Sequence, residues 1–389
     1  MSRFDVKKFV DPAYPARKSV ILRYHKSNFL DIDKKTLLSV SQKEGESIFY
    51  LETYKGIDIH ILDETSNTTT NTFEALIAMV TIAYCKKLKR RTIIFSSGGN
   101  LGEALAAYAQ NAGMQAFSFN PLANVPLLSN RLFRRNIHLI GVRDAQRTRE
   151  MMLLARKKMK KKLGYDPLVP TIDWRLRAAR FRGLFLLEYM AKRAITFSAI
   201  AQTISAGFGP LALFETLRQS GLEKPSDGLP QFFGIQQEAN CYMYQRWKRK
   251  RLPPSSSLIV PTLFDKNPHK TFGTYPAIAR LLKRVNGDLL TINHQEFKQC
   301  ISKQVLKTLL KNGLKHKTRG GQLVARSGLM ALAGVYKAIE HGIIERGPVL
   351  VCMTDGARKN SKPAVPEMII EEKSDVDRVM ELFDREYYI

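Results

Sequence analysis

The sequence is short of acid. It has 35 Asp and Glu against 62 Lys and Arg, a formal net charge of +27 over 389 residues. A soluble enzyme of small metabolites rarely needs such a field. A protein seated on nucleic acid commonly does, because Lys and Arg pair phosphates and release counterions. Cysteine is also scarce: Cys85, Cys241, Cys300 and Cys352 are scattered without C-x-x-C spacing. That excludes a zinc ribbon and a disulfide framework and suits a reducing, intracellular compartment, with each cysteine read as a small buried hydrophobe. No apolar run reaches ~18 residues, so no membrane-spanning helix is expected. No apolar stretch follows Lys7 and Lys8, so a secretory signal is not expected either. The N-terminus sets Asp5 and Asp11 against Arg3, Lys7, Lys8, Arg17, Lys18, Arg23 and Lys26. A mitochondrial transit peptide shares that bias but carries more serine, so matrix and cytoplasm both stay open.

What is present is ordinary globular material, 44% hydrophobic and 25% charged, enough for two or three domains. Residues 1–45 read as a basic arm and polar connector, 46–195 as an N-terminal αβ domain, 196–365 as a C-terminal αβ domain and 366–389 as an acidic tail, packed back on basic surface or solvated. From residue 48 onward strands and helices alternate. Strands are expected at 48–51, 57–62, 92–95, 115–119, 137–142, 231–236 and 349–353. Helices are expected at 72–88, 101–112, 144–163, 176–193, 211–220 and 327–341. Alternation at that pitch implies βαβ units on parallel sheets with covering helices.

Three glycine turns follow expected strands: Ser96-Ser97-Gly98-Gly99-Asn100-Leu101-Gly102, Gly207-Phe208-Gly209-Pro210 and Thr354-Asp355-Gly356. The first two precede expected helices, which turns backbone N–H groups toward a helix N-terminus and makes an anion site. Any α/β protein uses such turns structurally. Three in order near strand C-termini suggest one ligand crevice.

With these motifs the chain resembles the fold type II (tryptophan-synthase-β-like) pyridoxal-phosphate enzymes, threonine synthase most closely. The stretch Phe95 to Gly113 is similar to that family's asparagine loop and following helix. Ile204 to Leu213 is similar to its phosphate loop, Phe233 to Glu238 to the next strand, and Pro261 to Pro268 to a threonine synthase segment. Ser327 to Gly334 and Val349 to Thr354 are similar to its C-terminal signature. The resemblance spans roughly residues 45 to 362. It implies that Asn100 bonds the cofactor's phenolic oxygen and that N–H groups around Gly207, Phe208 and Gly209 hold its phosphate. It further implies that Thr354 faces the pyridine nitrogen, and that Ser96 and Ser97 lie near a substrate carboxylate. A homodimer is common in the family.

The departures carry equal weight. Where the family reads Asn-Pro-Thr-Gly-Ser-Phe-Lys, alignment on Phe73 puts Glu74 at the Schiff-base lysine, and no lysine lies between Lys55 and Lys86. A carboxylate cannot supply the amine nucleophile. The asparagine loop has the extra glycine of Gly98-Gly99. Phe208 stands where a small or hydroxyl residue is usual, and Arg326 where proline is. Asp173 to Arg180 lacks the family's Gly-Gln-Lys-Thr pattern. The expectation is therefore a degenerate relative with no catalytic residue and no bound cofactor, the loops being vestigial. The alternative is an active pyridoxal-phosphate lyase or synthase of the threonine synthase or cysteine synthase type. It would use another lysine, such as Lys86 or Lys87, or hold its cofactor without a covalent bond. A third reading is a non-catalytic sensor of a small anion.

Positive charge collects in six blocks: Lys86 to Arg91, Arg131 with Arg134-Arg135, Arg156 to Lys162, Arg175 to Arg182, Arg246 to Arg251 and Lys311 to Arg319. The RNA-binding candidates are Lys86, Lys87, Lys89, Arg90, Arg91, Lys157, Lys158, Lys160, Lys161, Lys315, Lys317 and Arg319, together with Arg246-Trp247-Lys248-Arg249-Lys250-Arg251. One charge run is usually a solvated face; six without an internal acid point to a polyanion. Trp247, with Tyr242 and Tyr244 nearby, suits unpaired bases or core packing. With no RNA-binding signature, contact to phosphates and shape is expected. The partners implied are RNA and the proteins of a large ribonucleoprotein, a ribosome, mitochondrial or otherwise. No metal site is expected.

Overall fold

The computed structural model describes residues 5–97, 99–169, 172–253, 258–260, 263, 274–312, 314, 318–319, 322–323, 326–355 and 362–387. In chain order the strands are β1 (Ser47–Tyr54), β2 (Ile57–Asp63), β3 (Thr92–Ser96), β4 (Gln115–Pro121), β5 (Ile137–Val142), β6 (Ala199–Thr203), β7 (Gln231–Gln237), β8 (Asp288–Ile292), β9 (Thr318–Arg319), β10 (Gln322–Leu323), β11 (Val349–Met353) and β12 (Met368–Ile370). The helices are α1 (Val20–Arg23), α2 (Lys34–Leu38), α3 (Glu74–Lys87), α4 (Asn100–Asn111), α5 (Thr148–Leu163), α6 (Ile172–Ala179), α7 (Phe181–Arg193), α8 (Phe208–Gln219), α9 (Tyr242–Lys248), α10 (Tyr275–Val285), α11 (His294–Cys300), α12 (Lys303–Lys311), α13 (Arg326–Glu340) and α14 (Val376–Tyr387).

The chain forms two compact units. The first is Met1–Leu30, Glu44–Phe73 and Leu176–Arg358; the second is Asp31–Lys43, Glu74–Arg175 and Lys359–Ile389. The first holds a sheet ordered β1-β2-β11-β6-β7-β8, parallel except for the β1–β2 hairpin. The apolar helix α13 lies in its core with Ile59, Ile61, Ala201, Ile235 and Val351. The second holds a parallel sheet ordered β12-β5-β4-β3. Met151, Met152, Ala155 and Met159 of α5 and Val379, Met380 and Phe383 of α14 pack with its strands. Helix α3 is buried along nearly its whole length, Ala75 through Ala83. A helix apolar on all sides is stable only when enclosed. The expected parallel α/β class is the observed one.

Several expectations need correction. Within the expected arm of residues 1–45, the described residues 5–45 are not extended. Val20, Ile21, Leu22 and Tyr24 are buried, and Arg23 pairs with Glu188 at 2.5 Å. The compact units do not follow the linear division at 195/196, because β2 pairs directly with β11 from the far end of the chain. The helix expected over 176–193 is broken into α6 and α7 at Arg180. Of the two readings of the acidic tail, the one packed back on basic surface holds: β12 pairs with β5, and α14 lies on α5 through Lys158–Asp377 and Lys162–Asp384 (2.5 Å). The basic run at the end of α5 supplies its counter-charge. Segments 275–311 add α10, β8, α11 and α12, which residue patterning did not anticipate. No described helix is long and apolar enough to cross a membrane.

Candidate functional site

In the first unit, the C-terminal ends of the adjacent parallel strands β2, β11 and β6 share one edge of the sheet. This edge carries Glu64, Thr354 and the turn Ile204 to Gly209. Thr354 is buried and its carbonyl accepts from Phe73 N–H at 3.0 Å, while Thr72 bridges Asp355. Ser327, opening α13, donates to Asp355 at 3.1 Å. Glu64 N–H donates to the Met353 carbonyl at 3.2 Å. These bonds tie the ends of β2 and β11 and the start of α13 together.

The turn after β6 enters α8 through Gly207 at φ +74°, a left-handed conformation that a side chain would strain. Phe208 and Gly209 form the first turn of α8, whose free N–H groups and dipole favour an anion. Gly209 is a packing necessity. A Cβ there would lie 2.6 Å from Arg182 Nη1 and 2.8 Å from Gln202 Nε2.

Arg182, on α7, is completely buried beneath this turn. It forms a two-pronged ion pair with Glu64, also fully buried, and donates to Gln202 Oε1 at 2.9 Å. Glu46 lies in the same charged cluster. Burial pushes its carboxyl well above the ordinary range, and the neighbouring Glu64 adds to that. Sequence reading placed Arg182 within a basic run, Arg175 to Arg182. The only available hint that it was internal was its position among Phe181, Gly183 and Leu184 on one apolar helix.

In the second unit, Ser96 and Ser97 close β3, and Asn100 opens α4 after the N-cap Gly99. The loop folds tightly over the helix. A Cβ on Gly102 would lie 1.9 Å from the Ser97 carbonyl oxygen. A backbone oxygen cannot swing away as a flexible side chain can. Gly102→Ala is therefore expected to cost about 1–3 kcal/mol by overpacking, read as a lowered urea midpoint. An unchanged midpoint would mean that the loop is not held as described. Glu74 opens α3, and its carboxylate acts on Arg175 of α6. Burial lowers the Arg175 pKa and Glu74 opposes that shift. Trp174 stacks on Tyr84 at 3.8 Å beside them.

Lys86 and Lys87 end α3, about 18–20 Å along the axis from Glu74 at 1.5 Å per residue. Lys87 is committed to Asp31 at 2.6 Å. Trp247, read as suiting either unpaired bases or core packing, is half-buried, and its indole N–H donates to Asp288 at 2.8 Å, with Lys248 on the same carboxylate at 2.6 Å. Arg246 sits over Tyr275 at 4.5 Å. Arg249, Lys250 and Arg251 remain exposed. Gly98, Gly356, Lys315, Lys317 and most of Pro261 to Pro268 lie outside the described residues, as does the side chain of Arg319. All four cysteines are free thiols; burial raises Cys85 to about 12 and Cys241 to about 11. Among the described residues no His, Cys, Asp and Glu cluster could hold a metal.

Comparison with known proteins agrees with this architecture. No curated protein matches the sequence. Solved structures do match. Threonine deaminase isoform 2 from Solanum lycopersicum aligns with TM-score 0.56 at 14% identity, over 92% of this chain and 85% of that one. Diaminopropionate ammonia lyase from Escherichia coli aligns with TM-score 0.58 at 14% identity, over 90% and 92%. Maize serine racemase aligns with TM-score 0.55 at 12% identity, over 84% and 94%. Identities this low establish the fold. The model of the family described as pyridoxal-phosphate dependent enzyme matches residues 46–355, most of the sequence, and the chain belongs to that family.

Proposed function

We propose that this protein is a catalytically degenerate family member, resembling threonine synthase, whose basic surface binds RNA phosphates within a large ribonucleoprotein such as a ribosome. The observation that carries the first half is Glu74. Aligned on Phe73, the glycine of the family's lysine segment falls on Asn71, and Asn71 has φ +58°. A left-handed residue at the glycine position supports the alignment that places Glu74 where the lysine would stand. Arg175 beside it stabilises a carboxylate there.

The residues fit the cofactor in one part and not in another. The α8 N-terminus, entered through Gly207, suits a phosphate. Pyridoxal phosphate supplies an aldehyde that needs an amine partner, and Glu74 offers none. No covalent step follows from this chain. The retained cradle favours a second reading, a pyridoxal-phosphate-dependent lyase or synthase or an anion sensor in which the cofactor or a phosphate binds without a bond to lysine. The charge of +27 favours the RNA reading.

An absorption spectrum of protein purified from its own cells at low salt, before and after borohydride, separates these readings. The expected result is excess nucleic-acid absorbance and no borohydride-sensitive cofactor band. A borohydride-sensitive band would put the enzyme reading in its place.

A further inference from the structure

In the second unit, one edge of the sheet collects cations that are not paired by the acids of the C-terminal helix. The starts of β3, β4 and β5 are flush, with Thr92 opposite Gln115 and Ala116 opposite Ile137. The residues just before these starts therefore line one edge. Lys86, Lys89 and Arg91 lead into β3, and Arg134 and Arg135 lead into β5; all five are exposed. The end of α5 reaches the same edge, because the Tyr165 hydroxyl accepts from the N–H groups of Arg91 (3.1 Å) and Thr92 (2.9 Å). That brings Lys160 and Lys161, also exposed, beside Arg91. On α5, Lys158 and Lys162 face the acids of α14, which leaves Lys160 and Lys161 outside that pairing. The opposite edge is charge-balanced: Arg143 pairs with Glu371, Lys373 with Glu150 and Arg378 with Asp375. Three clusters well separated in the sequence thus become one cationic strip, with β3 and β5 two strands, ~10 Å, apart.

We infer that this N-terminal edge of the β12-β5-β4-β3 sheet is the face on which the RNA backbone docks. The inference rests on the RNA reading above and narrows it to one surface. Charge complementarity selects a polyanion. Arginine forks pair phosphate oxygens in two-pronged fashion. Among the described residues Leu88 is the exposed large apolar side chain of the strip, so a lipid surface finds little to bury. The Arg246 to Arg251 cluster is the weaker candidate, since Arg246, Trp247 and Lys248 are already engaged internally. The strip lies at the opposite end of the strands from Ser96, Ser97 and Asn100, so occupation of one does not require the other.

The test compares two triple variants of the full chain, with folding checked by thermal melting. One is Arg91→Gln, Arg134→Gln, Lys160→Gln; the other is Arg249→Gln, Lys250→Gln, Arg251→Gln. Binding of a fluorescein-labelled oligouridine is followed by anisotropy across a salt series. The edge triple is expected to bind at least about tenfold more weakly, with the log–log salt slope shallower by about 2, at roughly 0.7 for each phosphate left without a cation. The second triple is expected to keep the slope of the unaltered protein. Equal losses in both triples, or loss in the second alone, would overturn the assignment of the edge while leaving RNA binding intact. Failure of the unaltered protein to bind the oligouridine would overturn the RNA reading and this inference with it, and capture by phosphatidylserine vesicles instead would name a membrane as the partner.

Discussion

Arg182→Met is expected to lower the unfolding free energy by about 3–5 kcal/mol, the range for removing one partner of a buried ion pair. Both Arg182 and Glu64 are completely shielded from water. Without the guanidinium, Glu64 must either stay charged in an apolar interior or take a proton beside Glu46, whose carboxyl burial already pushes upward. Replacing both partners removes the stranded charge, so Arg182→Met with Glu64→Leu is expected to recover most of the loss. Urea unfolding measures both. A single variant no worse than the double would show that the pair contributes nothing. Glu46 adds a pH arm. Its folded pKa is raised above the unfolded value of ~4.3, so its contribution is complete below that pH and fades as pH rises through the folded value. Glu46→Gln should therefore gain stability relative to the native protein as pH rises from 4 toward 8, as the native protein bears a growing penalty. A constant difference across that range would mean that Glu46 does not titrate differently on folding.

The second large effect is chemical. Glu74→Lys is expected to acquire a covalent pyridoxyl mass at position 74 after pyridoxal phosphate and borohydride, whereas the native protein acquires none at a specific site. The new ammonium would stand near Arg175, and like charge lowers the pKa of an amine, which favours the nucleophilic form. Peptide mass spectrometry locates the mark. Labelling of the native protein at one lysine would revive the enzyme reading. A Glu74→Lys variant that stays unlabelled at the new lysine would mean that position 74 is not the equivalent of the family's Schiff-base position. Acid offers an independent check on the first unit. Burial would raise the Glu188 carboxyl, but hydrogen bonds from Arg23, Lys192 and Tyr24 hold it at about 2. Stability from this group is present above ~4.3 and is lost as pH falls toward 2. Glu188→Gln should erase that part of the acid sensitivity, seen as a smaller fall in melting temperature between pH 5 and pH 3.

Local periodicity was enough for most of the α/β alternation, because a half-buried helix and a doubly covered strand each leave a short-range apolar pattern. Both β7 and β11 and the turn at Gly207 stood where residue spacing placed them. Glu74 was legible for a similar reason, since it is a matter of which residue stands after Phe73. Residues 1–45 were misread because their buried apolar side chains sit in helices of four or five residues, too short to show a period. Charge was the least legible property. Arg182 and Lys158 look alike in a list of cations. Glu64 stands 118 positions from Arg182, and Asp377 stands 219 positions from Lys158. Whether a cation is spent inside the fold or left facing solvent depends on which distant acid the chain brings to it. That is why Arg182, the end of α5 and the start of the β12-β5-β4-β3 sheet separated into an internal ion pair, a counter-charge for the C-terminal helix and an exposed cationic edge only when the strands were in register.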